Sequence, residues 1–247
     1  MFLWHFDDHP GGGTTILTTK LALDNLQATA LVTFLPLGLL GGSLLFGPIV
    51  DRFGHKALLL LSCLVVLLGL EGIAFFTSIP LLQVSIIGIG LGGGILNGET
   101  NALVADISNE AEKGSRLSLL GAFYGIGALG IPVLLSFLSE YYSFEIILQG
   151  TGMVMLIGIL FCLGIRFPAP KQPQGFPIKE GLGLLKESSL LLLSFILFFQ
   201  SGIEGVCNNW TTLYLGQTTG IPENRALIAL TCMVAGLTVA RLLLVVL

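Results

Sequence analysis

The chain has 247 residues, 53% of them apolar and only 11% charged, with a mean hydropathy of +0.91. Soluble domains carry about 25% charge, so this composition excludes a protein that has water as its main solvent. The net charge of −4 says less than the placement of the charges, and no nucleic-acid partner is expected.

Backbone satisfaction in a bilayer leaves helices or a closed barrel. Long apolar runs without period-two alternation choose helices, so the expected fold is all-α, a polytopic transmembrane bundle in contact with the lipid bilayer. The four cysteines, Cys63, Cys162, Cys207 and Cys232, lie singly inside apolar runs and read as packing residues. Residues 1–25 form an expected extracytoplasmic segment. They hold Asp7, Asp8, Pro10 and the Gly11-Gly12-Gly13 run, which is no cleavable signal peptide. His5 and His9 flank the aspartates, but a polar terminus explains them better than a metal site. No metal or cofactor is expected.

Seven helical spans follow in order: Leu26–Val50, Ala57–Ser78, Leu81–Ala105, Leu117–Ser139, Phe144–Phe167, Ser189–Leu215 and Ala226–Leu247. Each is long enough to cross about 30 Å of hydrocarbon at about 1.5 Å per residue. Between the first two lies Gly47-Pro48-Ile49-Val50-Asp51-Arg52-Phe53-Gly54-His55-Lys56. A charged, glycine-pinned turn wedged between apolar segments reads as a tight cytoplasmic connection. Arg52 and Lys56 alone would be an ordinary positive inside loop. The acid at the helix end and the two placed glycines ask for more.

The spacing of Gly47, Asp51, Arg52, Gly54 and Lys56 resembles the signature of the major facilitator superfamily, found in that family after the second helix. The resemblance implies a secondary carrier that works by alternating access, and a conformational-switch role for these five residues. It also implies twelve helices in two halves with a linker after the sixth. Here the signature follows the first span, and the proline-rich segment 168–188 follows the fifth. The expected organisation is therefore an N-terminal bundle at 26–167 lacking the family's first helix, a cytoplasmic linker at 168–188, and the start of a C-terminal bundle at 189–247. On this reading the chain is a fragment equivalent to the family's helices two through eight.

The third span is rich in glycine. Gly88, Gly90 and Gly93 spell G-x-G-x-x-G with Asp106 downstream. A dinucleotide turn would need a strand end and a polar opening. Close helix packing, as in Gly88-x-x-x-Gly92 and Gly94-x-x-x-Gly98, accounts for the glycines better. Asn97 and Asn101 share one face of this helix, about 40° apart, and Glu99 projects about 160–200° away from it. A carboxyl in a membrane is functional by default, against the plainer reading of a structural bond to a neighbouring helix.

Residues 92–104 and 121–128 resemble the fucose permease-like branch, which implies sugar uptake coupled to protons. In that branch the coupling acid stands where this chain has Asn97, while the acid here is Glu99. The sixth span carries Gln200, Glu204, Asn208 and Thr211 within an arc of about 80°. Solute contacts are therefore expected from Asn97, Asn101, Gln200, Glu204 and Asn208, and proton coupling from Glu204 or Glu99. Glu71 ranks lower, and Arg241 resembles a basic family position that implies a carboxylate partner. No Walker loop, Ser-His-Asp set or metal cluster accompanies these residues, so enzyme chemistry is not expected. The fourth span reads Gly130-Ile131-Pro132-Val133, without the ending typical of drug antiporters, which favours uptake over efflux. A non-transporting remnant of such a carrier and an efflux carrier are the rival readings. A seven-helix receptor would leave the signature and the linker unexplained.

Lysines and arginines set the orientation. Arg52, Lys56, Lys113, Arg116, Arg166, Lys171, Lys179 and Lys186 fall on one side, and only Lys20 and Arg225 on the other. This asymmetry puts 168–188 in the cytoplasm and 216–225 outside a cell membrane. An impermeant thiol reagent added from outside should label Gln217→Cys and spare Gln172→Cys. The reverse pattern overturns the orientation.

Overall fold

The computed structural model describes residues 25–139, 141–169, 183, 186–220 and 223–246. His5, His9 and most of the expected 168–188 linker lie outside the described residues. Seven α-helices are described: α1 (Asn25–Phe53), α2 (His55–Phe75), α3 (Ile79–Ile107), α4 (Lys113–Ser139), α5 (Phe144–Gly164), α6 (Ser188–Thr219) and α7 (Glu223–Val246). Each expected span is one of these helices. Among the described residues, five stretches are long and apolar enough to cross a membrane: Thr33–Phe53, His55–Phe75, Ile79–Ile107, Phe144–Gly164 and Ser188–Cys207.

The helix ends follow local chemistry. Pro80 sits in the first turn of α3, where its missing N–H costs nothing. Gly220, at φ 64°, closes α6 in the left-handed conformation and donates its N–H to Leu215 O. The connection between α1 and α2 is shorter than the sequence implied. The helices were expected to stop at Val50 and resume at Ala57, yet only Gly54 separates them. Its N–H bonds Val50 O at 2.8 Å, and its φ of 82° is one that glycine adopts without a Cβ clash. Asp51 and Arg52 thus belong to the last turn of α1, and His55 and Lys56 to the first turn of α2.

Two compact units are present. The first contains α1, α2, α3 and α5, and within it α3 packs on both α1 and α2 while α2 packs on α5. Its apolar centres are Ile73, Ala74, Leu82, Ile86 and Leu148 in one cluster, and Val50, Leu58 and Ile95 in another. The second unit contains residues 114–131 of α4 together with α6 and α7. There Thr238 lies against Gly125, and Arg241 donates to Gly121 O at 3.2 Å. The carboxylate that the family resemblance implied for Arg241 is not its partner among the described residues.

Burial is inverted relative to a soluble protein. Leu44, Phe161 and Phe198 are about 70% exposed, whereas His55, Ser62, Ser85, Glu99 and Thr238 are buried. Lipid is the solvent that such an exterior requires.

The glycines of α3 serve two neighbours. A Cβ on Gly90 or Gly94 would collide with the backbone of α1 at Leu35 O or Leu39 O. In return, a Cβ on Gly38 or Gly42 would collide with the backbone of α3 at Ile87 O or Leu91 O. Gly92 instead faces Ser62 O and Val66 of α2, and Gly98 faces the Phe46 ring. Small residues at i, i+4 on both partners allow this close approach. Gly42→Ala should lower stability by about 1–3 kcal/mol, the usual cost of overpacking. Gly41→Ala, where nothing lies within 4 Å, should not. Thermal unfolding of the two variants in one detergent decides, and an equal response would show that the crossing does not depend on backbone contact.

Candidate functional site

His55 is the first residue of α2, and the Gly54 turn delivers it inward, where it is 4% exposed. Its Nδ1 lies 2.8 Å from Glu99 Oε1, and its Nε2 lies 3.0 Å from Asp106 Oδ2. Glu99 and Asp106 are seven residues apart on α3, hence about 20° from one another on the same face. Glu99 is fully buried, and its Oε2 has no hydrogen-bond partner among the described residues. The Asp106 side chain is 21% exposed.

Beside this group lies a cavity of about 160 Å³ whose walls include Gly47, Asp51, His55, Ala102 and Asp106. Small-molecule pockets usually measure about 300–1,000 Å³, so this one suits a few waters better than a solute. Of the signature residues, Gly47 and Asp51 line it, and the others differ in their contacts. Asp51 is half-buried on the wall, while Arg52 is exposed with its guanidinium carbon 5.2 Å from the Phe53 ring centre. Lys56 Nζ donates to Leu163 O at 2.7 Å and to Ile165 O at 3.1 Å. A cation there satisfies the free carbonyls at the end of α5 and suits its negative pole. At Gly47 a Cβ would meet nothing within 4 Å, so packing does not explain that glycine.

The residues expected to bind solute fall in two groups. Asn97 and Asn101 are exposed on α3, with Asn101 Nδ2 donating to Asn97 O at 2.7 Å. Thr100, between them in sequence, bonds back to Leu96 O at 2.8 Å. Glu99 does not join them, because it points inward to His55. On α6, exposed Gln200 donates from Nε2 to Glu204 Oε2 at 3.0 Å, and Glu204 is half-buried. Asn208 lies two turns after Gln200 on the same helix. The first group belongs to the first unit and the second to the other.

His55 and Asp106 were not among the expected site residues. His55 occupies a position that the signature spacing treats as free, and in the sequence Asp106 stands out only as the acid downstream of Gly88, Gly90 and Gly93. The usable signal was the seven-residue interval from Glu99 to Asp106, which aligns two acids on one helix face.

Residues 12–246 match the family model described as Major Facilitator Superfamily. Multidrug resistance protein MdtH of Aeromonas hydrophila subsp. hydrophila is 30% identical over 199 residues, covering 80% of this chain and 47% of that protein. The D-xylose transporter of Levilactobacillus brevis is 27% identical over 174 residues, covering 69% of this chain and 36% of that protein. Inner membrane transport protein YdiN of Escherichia coli is 26% identical over 156 residues, covering 62% of this chain and 36% of that protein. The chain therefore spans less than half the length of these curated relatives. The solved structure of a peptide transporter POT matches with a TM-score of 0.56 at 15% identity, covering 84% of this chain and 48% of that one. That likeness concerns the fold. A multi-pass helical membrane chain matched over nearly all its length by this family model belongs to the Major Facilitator Superfamily.

Proposed function

We propose that the protein is a secondary carrier that takes up a small polar solute of the sugar class by alternating access, with proton coupling. The observation that carries this reading is the polar equipment of two otherwise apolar helices: exposed Asn97 and Asn101 on α3, and the Gln200–Glu204 pair on α6. Polar side chains at membrane depth are costly against lipid and mark solute or ion pathways. In carriers such groups serve a midplane site around which two bundles rock. Asn97, Asn101, Gln200, Glu204 and Asn208 are the proposed solute contacts. The proposed bundles are 26–167 and 189–247, with 168–188 as the cytoplasmic linker.

The sugar class rests on the fucose permease-like resemblance of 92–104 and 121–128, and on the similarity to a D-xylose transporter. An efflux carrier is the second reading, favoured by the similarity to multidrug resistance proteins. Gly47, Asp51, Arg52, Gly54 and Lys56 are assigned to conformational switching, since they gather at the single-residue joint between α1 and α2.

Glu204 is the proposed coupling acid, ahead of Glu99, because it shares its helix face with Gln200 and Asn208. In cells expressing the protein, labelled pentoses and hexoses should accumulate against a gradient when the outside is acidified. Glu204→Gln should keep solute exchange and lose that accumulation. Accumulation that survives with unchanged pH dependence removes Glu204 from the role. Resistance to drugs without sugar uptake supports efflux instead.

A further inference from the structure

The two contacts of His55 carry a proton count. Each contact, at 2.8 Å and 3.0 Å, needs one hydrogen between its heavy atoms. A neutral imidazole provides one, since its other ring nitrogen is a bare acceptor, and ionised carboxylates provide none. With a neutral ring and two carboxylates, one contact would set a nitrogen lone pair against a carboxylate oxygen. The geometry requires a further proton, either on the second ring nitrogen or on a carboxyl. We propose that His55, Glu99 and Asp106 form a proton-binding site that ties the Gly54 joint to α3.

The surroundings favour that proton. Glu99 is fully buried with Oε2 unpartnered among the described residues, so a full negative charge there is poorly compensated. From α1, Asp51 adds another carboxylate to the adjoining cavity wall. Two cations of the signature are directed elsewhere. Lys56 of α2 binds carbonyls at the end of α5, and Arg52 of α1 lies over the Phe53 ring. Two carboxylates therefore hold one imidazole, with Asp51 on the same cavity wall, and a proton bound there offsets part of their charge. The cavity of about 160 Å³ has room for the few waters that would deliver it.

This site stands on its own geometry and does not use the proposed solute residues. It gives the signature region a chemical input, because proton loss would turn one His55 contact from a bond into a repulsion. The N-terminus of α2 would then lose one of its two polar ties to α3.

The chain has three histidines, so ring-nitrogen NMR of the isotope-labelled protein in lipid nanodiscs resolves few signals. His55→Gln identifies the relevant ring. At neutral pH the native His55 ring should show both nitrogens hydrogen-bonded, with no free acceptor nitrogen. Glu99→Gln brings an amide N–H that can donate to Nδ1, so no extra proton is needed. Where the native proton sits on the ring, the Nδ1 signal should move to that of a neutral acceptor while Nε2 keeps its proton; where it sits on Glu99, Nδ1 should remain a hydrogen-bonded acceptor in both proteins. A native ring with an ordinary free acceptor nitrogen overturns the proposal. Where Glu99→Gln does not fold, Asp106→Asn applies the same test from Nε2. No transport is measured, so failure here and failure of the carrier reading are distinguishable.

Discussion

Between helices in lipid, apolar side chains gain little by exchanging hydrocarbon for one another. Attachment then rests on close packing and on rare polar bonds, and the first unit depends on the α1–α3 crossing. Gly38 and Gly42 meet Gly90 and Gly94 at backbone contact, which fixes both the spacing and the register of α3. The same helix turns Gly92 toward Ser62 and Val66 of α2. Held from two sides, α3 has little freedom to rotate or slide. That fixed register brings Glu99 and Asp106 to His55.

Polar groups inside this unit divide by whether their own helix can satisfy them. Ser62, Ser85 and Thr100 bond back to Leu59 O, Leu81 O and Leu96 O, so they place no demand on a neighbour. Asn101 does the same through Asn97 O. A buried carboxylate cannot be served in this way, because the helix interior offers no free N–H. Glu99 must reach across to another element, and His55 at the start of α2 is what it finds. Breaking such a buried pair by removing one member typically costs about 3–5 kcal/mol, mostly through the charge left behind. The bond is therefore as much an obligation of burial as a source of attraction.

Much of this was legible in the sequence, and what was not has definite physical reasons. Seven apolar runs gave seven helices, since lipid leaves the backbone few alternatives. Their ends were less well marked. The polar residues Asp51, Arg52, His55 and Lys56 read as loop because charge and apolar pattern change there together. The helices continue through them nonetheless, because one glycine with positive φ can reverse the chain by itself. The glycines of α3 were legible as packing residues, but their partners Gly38 and Gly42 lie far away in sequence and carry no local mark. Helical angles placed Glu99 opposite Asn97 and Asn101, and the two groups do face different surroundings. No periodicity within α3 names His55, since pairing across helices is set by register and crossing, which single-helix geometry does not contain.

The one-residue joint also shapes what motion is possible. With only Gly54 between α1 and α2, a change in their relative angle must pass through the torsions of that glycine or unwind an adjoining turn. Asp51 lies just before the pivot and His55 just after it, both on the wall of the same small cavity. A rotation there changes the separation of α2 from α3 by changing the His55 contacts first, since these are the polar bonds nearest the pivot. Lys56 adds a second attachment, to the last carbonyls of α5. The start of α2 is thus bound on one side through ionisable groups and on the other through a fixed cation and backbone oxygens. Only the first of these attachments depends on a proton. A proton-dependent bond at the pivot biases the hinge, whereas the Lys56 attachment holds α2 to α5 in either protonation state.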